Sequence, residues 1–227
     1  MEPGANLAKP PPPLSYTPPS SPLRIIYSDE AIIVIDKPSG LLTVPGKAEA
    51  HRDCLESRIQ RDFPEARIVH RLDMDTSGVV ILAMNAAAHR HLGLQFERRH
   101  VEKAYIADLY GVLQAPSGEI DLPLRCDWPN RPRQMVDLNE GRAAFTRFEV
   151  ISRSKASTRV RLFPKTGRSH QLRVHTLELG HPILGDPLYA HEAALSAAPR
   201  LALHAERLSV YHPVGGRRLT FESPVPF

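Results

Sequence analysis

Short apolar runs separated by turn residues predict a chain rich in β-strands from residue 23 onward. The segment RIIYSDEAIIVIDKPSG at 24–40 predicts two strands around a Ser-Asp-Glu turn. SGVVILAM at 77–84 is a continuous apolar run of strand length, and KAYIADLYG at 103–111 alternates as a strand does. The segment 112–149, rich in proline, glycine and polar residues, predicts short strands at best. Further strands are predicted in STRVRLFPKTG (157–167), LALHAERLSVYHP (201–213) and RLTFES (218–223).

Helical periodicity is found in three segments. DCLESRIQRDF at 53–63 places its Leu, Ile and Phe on one face, and Pro64 ends the helix. Asn85 is the predicted N-cap of an alanine-rich helix that reaches about Arg98. SHQLRVHTLELG at 169–180 places two leucines and a threonine on one face and ends at its glycine.

The N-terminal segment differs sharply in composition from the rest of the chain. Eight of the first 22 residues are proline, so residues 1–22 are predicted to be a disordered, partly polyproline tail. A proline-rich ligand for a domain with an aromatic groove is the alternative. Residues 23–227 show no internal repeat and no second linker, which predicts one mixed α+β domain.

Cysteine usage and hydropathy predict a cytoplasmic protein. The two cysteines, Cys54 and Cys126, are too few for a disulfide framework and lack C-x-x-C spacing, which fits a reducing compartment. No apolar run approaches the length needed to span a bilayer, and the proline-rich start lacks the features of a secretory signal.

Positive charge is concentrated in one part of the chain. The 227 residues carry 29 Lys and Arg against 25 Asp and Glu, for a net charge of +4. Between residues 151 and 175 there are seven Lys or Arg and no acidic residue. This run leads into the glycine turn of KTGRSHQLR at 165–173, which predicts either a phosphate site at a helix start or an ordinary solvated strand face.

The stretch HRLDMDTSGV at 70–79 is the first candidate for chemistry. Asp73 lies two residues after Arg71 and two residues before Asp75. A carboxylate beside cations remains ionised at neutral pH, which suits a nucleophile or a base rather than a general acid. The alternative is a surface ion pair, which contributes less than about 1 kcal/mol.

Metal and cofactor signatures are missing from the sequence. His170 and His175 are five residues apart on a predicted helix, not the four that place two ligands on one face. The chain contains no cysteine pair with metal-ligand spacing, no phosphate-binding P-loop, no G-x-G-x-x-G and no G-x-S-x-G. We therefore expect no metal and no nucleotide cofactor.

Several long motifs occur along the chain in one order. They are KPSGLLTVPG (37–46), HRLDMDTSGVVILAMN (70–85), EKAYIADLYG (102–111), KTGRSHQLRVH (165–175), HPILGDPLYA (181–190) and LALHAERL (201–208). Together they resemble the RluA-type pseudouridine synthases. The segment CDWPNRPRQMV at 126–136 further resembles the dual-specificity members, which act on ribosomal and transfer RNA. The resemblance implies a mixed, mostly antiparallel sheet with a central cleft flanked by helices and loops.

The resemblance also implies roles for individual residues. The aspartate of the family pattern H-R-L-D-x-x-T-S-G is the catalytic carboxylate and corresponds to Asp73, whereas Asp75 falls on a free position and is expected to be a solvated turn residue. Tyr105 corresponds to the tyrosine that packs against the uracil and assists proton transfer. Arg173 corresponds to the cation paired with the aspartate, and Arg71 to the arginine that fills the space left by the extruded base.

Further RNA contacts are expected from the basic loops. Arg131 and Arg133 lie in a proline-bracketed loop and are predicted to contact phosphates, as are Arg168 and His170 in the glycine turn before the helix. Motif residues 37–40 are expected to be scaffold at a strand end, and the aspartate of GDPLYA is expected to cap its own turn.

The implied activity is isomerisation of uridine in stem-loops of large-subunit ribosomal RNA and of transfer RNA. Pseudouridine formation adds and loses nothing overall, so no cofactor is needed, and we expect a monomer that binds structured RNA. One alternative is an RNA-binding protein or RNA chaperone on an inactive scaffold. Another is an aspartate-dependent hydrolase that requires a metal or an activated water.

Overall fold

The computed structural model of the protein describes residues 16–227. Within that range, no helix is long and apolar enough to cross a membrane. The helices are α1 (Leu55–Asp62), α2 (Ala86–Glu97), α3 (Gln171–Glu178) and α4 (Glu192–Ser196), with short 3-10 turns at Glu49–Arg52 and Trp128–Asn130. The strands are β1 (Arg24–Ser28), β2 (Ile32–Lys37), β3 (Arg67–Ile68), β4 (Ser77–Ala83), β5 (Glu102–Tyr110), β6 (Ser117–Asp121), β7 (Leu124–Cys126), β8 (Gln134–Val136), β9 (Phe145–Arg153), β10 (Ser157–Pro164), β11 (Leu203–Tyr211) and β12 (Arg218–Glu222).

A ten-stranded mixed sheet forms the centre of the fold. Its main path is β1-β2-β4-β11-β5-β10-β9-β6, with β12 paired to β11 and β3 paired to β4. Among the pairings within residues 16–227, β4 with β11 is the parallel one and the others are antiparallel. Strands β7 and β8 form a separate hairpin. The expected α+β fold with a mostly antiparallel sheet is confirmed.

Strands β2 and β4 each contain a continuous apolar run because helices cover both of their faces. Alternate residues of the two strands, such as Val34 and Ile81, pack in one core cluster with Leu92 of α2. The other set, including Ile35, packs with Ile59 of α1. Continuous apolar strands are typical of such two-sided burial.

The parallel pair brings two distant loops to one edge of the sheet. Ser77 is paired with His204 and Gly78 with Ala205, so the loops that precede β4 and β11 lie side by side. Gly78 has φ +112°, and a Cβ there would lie 2.3 Å from the carbonyl oxygen of Ala205. The glycine of the motif is therefore required by the close approach of the two backbones.

Most predicted elements are present, with four differences. The segment after residue 112 contains the nine-residue strand β9 and not merely short strands. Helix α3 is buried on all sides and not on a single apolar face, because Gln171–Thr176 all lie buried between the sheet and the hairpin β7–β8. Helix α4 was not predicted, and neither was β3.

The fourth difference concerns the predicted tail. Residues 1–15 lie outside the described residues, but residues 16–22 contact the domain. The hydroxyl of Tyr16 donates to the carbonyl of Asp53 at 2.6 Å and accepts from the backbone N–H of Leu42 at 3.1 Å. Arg58 donates to the carbonyl of Pro19 at 2.7 Å. Residues 16–22, which the composition assigns to the tail, thus include residues that lie against the domain.

Candidate active site

Asp73 lies in the turn between β3 and β4, with its side chain 29% exposed. The backbone on both sides of it is fixed by hydrogen bonds from the end of β2 and from the loop that follows it. Thr43 donates to the carbonyl of Leu72 at 2.7 Å and accepts from the N–H of the same residue at 3.3 Å. On the other side, Lys37 donates to the carbonyl of Met74 at 2.9 Å. The turn is thus held in one conformation, and Asp73 is directed by it.

Lys37 is completely buried at the end of β2. Its ammonium donates to three carbonyls, those of Pro38 at 3.0 Å, Leu41 at 2.7 Å and Met74 at 2.9 Å. Burial lowers the pKa of Lys37 to about 7, against the opposing charges of two nearby aspartates. The expected scaffold role of this motif has a physical basis, since one side chain links the strand end to the turn of Asp73.

Arg173 in α3 is almost fully buried and is held mainly by Asp186. Its Nε and Nη2 donate to the two carboxylate oxygens of Asp186 at 2.8 and 2.6 Å. The remaining Nη1 lies 3.5 Å from Oδ2 of Asp73. The expected pairing of Arg173 with Asp73 therefore exists, but as the weaker of two contacts. Asp186 also accepts from the N–H groups of Leu188 and Tyr189, so its expected capping role is one part of what it does.

His170 adopts a left-handed backbone conformation, with φ 52°, immediately before α3. Its Nδ1 lies 2.7 Å from the hydroxyl of Tyr189, and that hydroxyl accepts from the N–H of Gln134 at 2.7 Å. When the tyrosine donates its proton to Nδ1, the histidine proton lies on Nε2. Burial lowers the pKa of His170, so the ring is neutral at pH 7. Nε2 lies 4.0 Å from Oδ2 of Asp73, too far for a direct hydrogen bond.

Tyr105 lies on β5 opposite Ala205 of β11 and Leu162 of β10. Its ring packs against the apolar clusters on both sides of this point. Burial raises the pKa of Tyr105, and the negative charge of Asp73 raises it further, so the phenol remains protonated. The structure thus brings the three predicted catalytic residues, Asp73, Tyr105 and Arg173, to one place.

Asp75 is not the solvated turn residue that the sequence predicted. Its side chain is largely withdrawn from water, and this burial raises its pKa. The positive charges of Arg173 and Lys37 act in the opposite direction. Its backbone carbonyl accepts from the hydroxyl of Ser39 at 2.7 Å. No local pattern in the sequence indicates this burial, which depends on contacts formed only in the fold.

Comparison with known proteins agrees with this geometry. Residues 31–178 match the family described as RNA pseudouridylate synthase. The chain belongs to this family. The dual-specificity RNA pseudouridine synthase RluA of Salmonella typhi is 54% identical over 215 residues, which cover 94% of this chain and 98% of that protein. The protein of the same name from Escherichia coli strain K12 is 53% identical with the same coverage.

Solved structures of related proteins share the fold of this synthase. Human RNA pseudouridylate synthase domain containing 1 has a TM-score of 0.78 at 28% identity, covering 100% of this chain and 87% of that one. Human RNA pseudouridylate synthase domain containing 4 has a TM-score of 0.72 at 26% identity, covering 89% and 88%. The protein is accordingly an isomerase that forms pseudouridine in RNA.

His70, the first residue of the H-R-L-D motif of the synthase, is held in place by contacts inside the fold. Nε2 of His70 accepts from the N–H of Ile81 at 3.1 Å, and the ring stacks on Phe96 with centroids 4.6 Å apart. Burial lowers the pKa of His70 to about 3, so the ring stays neutral. His70 therefore ties the turn of Asp73 to the middle of β4.

The predicted RNA-binding residues occupy three parts of the synthase surface. Arg71 is exposed two residues before Asp73. Arg131 and Arg133 lie in the loop that connects β7 and β8. The guanidinium of Arg133 lies 5.2 Å from the centre of the Tyr189 ring, which connects this loop to the His170 contact.

Arg168 lies in the glycine turn before α3, near two other arginines. Its Nε donates to the carbonyl of Ala143 at 3.1 Å. Burial lowers the pKa of Arg168, and the charges of Arg142 and Arg99 lower it further. Three guanidinium groups thus repel one another at this point, which is a favourable environment for an anion.

Residues with metal-binding chemistry do not converge in the part of the synthase that the structure describes. Within residues 16–227, no three His, Cys, Asp or Glu side chains are grouped to hold a metal ion. His175 is completely buried, with Nδ1 3.0 Å from the hydroxyl of Thr146 and Nε2 3.0 Å from the carbonyl of Leu122. It therefore links α3 to the sheet.

The sequence patterns did not identify Asp186 and Tyr189 as residues of the site. Both belong to the motif HPILGDPLYA, whose polar residues stand in an otherwise apolar segment. That contrast was the available signal, since a buried aspartate needs a cationic partner. Identifying Arg173 as that partner requires the fold.

Proposed function

We propose that this synthase converts uridine to pseudouridine in stem-loops of large-subunit ribosomal RNA and of transfer RNA, with Asp73 as the catalytic carboxylate. The observation that carries the residue assignment is the contact between Asp73 and Arg173, whose guanidinium is fixed by Asp186. A partly exposed carboxylate with a preorganised cation behind it suits a reaction in which charge develops on a ribose.

The reaction breaks the N–C glycosidic bond, turns the uracil and joins its C5 to the ribose. The C5 hydrogen is released as a proton, and N1 gains a proton in exchange. Asp73 either forms a bond to the ribosyl group or removes a ribose proton, and an ionised carboxylate serves both routes. Tyr105 remains protonated and lies beside this carboxylate, so it can pack against the uracil and assist the proton transfer.

The target uridine must leave its stack to reach Asp73. Flipping a base out of a stem-loop costs a few kcal/mol, which is offset when an aromatic ring receives the base and another group replaces it. We assign the first task to Tyr105 and the second to Arg71, whose side chain is exposed next to the turn of Asp73.

The substrate assignment is supported by the relatives. The Salmonella typhi and Escherichia coli proteins are named dual-specificity RNA pseudouridine synthases and match 94% of this chain at 54% and 53% identity. The chain also carries the segment CDWPNRPRQMV at 126–136, which forms the hairpin next to the site. We infer that both classes of RNA are substrates of this protein.

We further infer that the protein acts in the cytoplasm, as a monomer and without a cofactor. The free cysteines Cys54 and Cys126 fit a reducing compartment. The atom balance of the reaction requires neither a redox partner nor a nucleotide. Gel filtration tests the monomer, and assay of protein dialysed against EDTA tests the independence from metals.

The deciding experiment uses RNA labelled with tritium at uracil C5, because isomerisation must release that hydrogen. Ribosomal and transfer RNA stem-loops are assayed separately with the wild-type protein, Asp73→Asn and the exposed control Asp62→Asn. We expect release from both RNAs by the wild type and the control, and none by Asp73→Asn.

Each other outcome has a defined meaning. Release from one RNA class alone would contradict dual specificity, and release by Asp73→Asn would contradict the residue assignment. A wild-type protein that binds both RNAs and releases no label would instead favour an RNA-binding protein on an inactive scaffold.

A further inference from the structure

The single tryptophan of the chain, Trp128, is 64% exposed. It lies in the 3-10 turn Trp128–Asn130 at the tip of the hairpin β7–β8. Burying an indole is strongly favourable, so a large exposed aromatic surface marks a place where another molecule binds. The proposed mechanism does not use this residue.

The tip of the hairpin is rigid. The N–H of Asp127 donates to the carbonyl of Arg133 at 3.0 Å, and the N–H of Asn130 donates to the carbonyl of Asp127 at 3.0 Å. The side-chain amide of Asn130 also donates to the carboxylate of Asp127 at 2.9 Å. The guanidinium of Arg131 lies 4.5 Å from the centre of the indole, which fixes the ring further. Trp128 is therefore presented in a defined position before anything binds.

The hairpin is also attached directly to the candidate active site. Leu124 and Val136 pack in one apolar cluster with Val174 of α3 and with Tyr189. The N–H of Gln134 donates to the hydroxyl of the same tyrosine at 2.7 Å. Since this hydroxyl holds the histidine beside Asp73, the indole keeps a fixed position relative to the catalytic carboxylate.

The charge around the indole favours a polyanion as the partner. Within residues 16–227, Arg131 and Arg133 form no ion pair with an acidic side chain, whereas Arg125 at the base of the hairpin is paired with Asp137 and Glu140. Two free guanidiniums beside an exposed aromatic ring are typical of single-stranded nucleic acid binding, in which bases stack and phosphates are neutralised.

We propose that Trp128 stacks on an unpaired base of the RNA substrate, while Arg131 and Arg133 contact the phosphates that flank this base. The proposal rests on the proposed function, because it identifies the ligand as the loop of the substrate stem-loop. A base inside a helix has no free face, so the stacked base is one that leaves the loop together with the target uridine.

The sole tryptophan allows a direct test by fluorescence. Wild-type protein is titrated with a stem-loop RNA that carries a terminal dye, and tryptophan emission and dye anisotropy are followed together. We expect emission to be quenched in parallel with the rise in anisotropy. Binding without any change in emission would overturn the proposal and would leave the proposed function intact, because that is measured by tritium release.

Substitution and abasic nucleotides then test stacking itself. Trp128→Ala should weaken RNA binding by about 5- to 100-fold, because one stacked ring is lost. Trp128→Phe should keep most of the affinity, because a stacked ring is retained. The control Leu138→Ala, which alters a side chain that is 75% exposed, should bind as the wild type does.

Loop nucleotides are replaced one at a time by an abasic residue in the same assay. At one position the abasic replacement should weaken binding to the wild-type protein as strongly as Trp128→Ala does. The same replacement should not weaken binding to Trp128→Ala any further, because the stacked pair is already lost. Equal affinity of Trp128→Ala and the wild type, or independent effects at every position, would overturn the proposal. Quenching that depends on protein concentration without RNA would instead assign the indole to a contact between proteins.

Discussion

Arg173 and Asp186 form a buried ion pair directly behind the candidate catalytic carboxylate, with N–O distances of 2.8 and 2.6 Å. The two bonds fix the plane of the guanidinium, and this plane directs Nη1 towards Asp73 at 3.5 Å. The position of the cation at the site is thus determined by a residue whose own side chain is fully buried.

Asp186→Asn should therefore reduce both stability and activity. It leaves the buried Arg173 without its main counter-charge, and breaking a buried pair from one side costs about 3–5 kcal/mol. We expect the free energy of unfolding in guanidinium to fall by roughly that amount and tritium release to fall with it, at a protein concentration where the variant is folded. The surface variant Asp62→Asn should stay within about 0.5 kcal/mol of the wild type. Equal stability of Asp186→Asn and the control would show that the pair is dispensable.

Lys37→Met should flatten the pH dependence of stability. The pKa of Lys37 is lowered from 10.5 to about 7 in the folded protein. Between these values the unfolded chain carries a proton that the folded chain has released, so Lys37 makes stability rise as pH increases from about 7 to 10.5. Denaturation across this window should show a smaller rise for the variant than for the wild type.

The exposed Lys155→Met is the matched control for this comparison and should follow the wild-type curve. Parallel curves for wild type and Lys37→Met would mean that Lys37 keeps its proton in the fold. Tritium release should also fall in Lys37→Met, because the carbonyl of Met74, next to Asp73, loses one of its two donors and keeps the N–H of Gly40.

Gly78→Ala should disrupt the centre of the sheet. The new Cβ would lie 2.3 Å from the carbonyl oxygen of Ala205, so β4 and β11 would have to separate. We expect a loss of several kcal/mol, on the order of the larger single-residue effects. Gly93→Ala in α2 is the matched control: its Cβ meets nothing within 4 Å, and alanine should stabilise the helix by about 0.5–1 kcal/mol. Thermal unfolding of the two variants should therefore shift in opposite directions.

Arg168→Gln should weaken RNA binding in a way that depends on salt. Arg168 lies near Arg142 and Arg99, and a phosphate at this point would release about one counterion per arginine. The slope of log affinity against log salt should become smaller by about one, with little change in preference among RNAs. Arg52→Gln, which alters an exposed arginine paired with Glu49, should leave the slope unchanged. An unaltered slope in Arg168→Gln would place the phosphate contact elsewhere.

The strands of the sheet were largely predictable because their signals are local. Strand β4 has a continuous apolar run and β10 alternates, and each pattern follows from how many faces of the strand are covered. Helix α3 shows where this reasoning fails. Its sequence is polar on several sides, yet Gln171–Thr176 are buried, since long-range packing supplies partners for the polar groups.

The same distinction applies to the site. Asp73, Tyr105 and Arg173 could be named from motif register, and the fold brings them together. Asp186 as the partner of Arg173 could not be named, because the pairing depends on how a turn folds back over a helix. The pKa of Asp75 depends likewise on burial and on charges from distant parts of the chain, those of Lys37 and Arg173.

The position of β11 has a consequence for how the protein folds during synthesis. This strand lies between β4 and β5 in the sheet, but it follows both in the chain by about a hundred residues. Until it emerges from the ribosome, the edges of β4 and β5 that face it in the finished sheet have no strand to pair with, and unpaired strand edges are prone to aggregation. Contacts of such sequence separation form slowly, so insertion of β11 is the expected rate-limiting step of folding. The loop of Asp73 then acquires its final neighbours late, and the chain gains activity only when that insertion is complete.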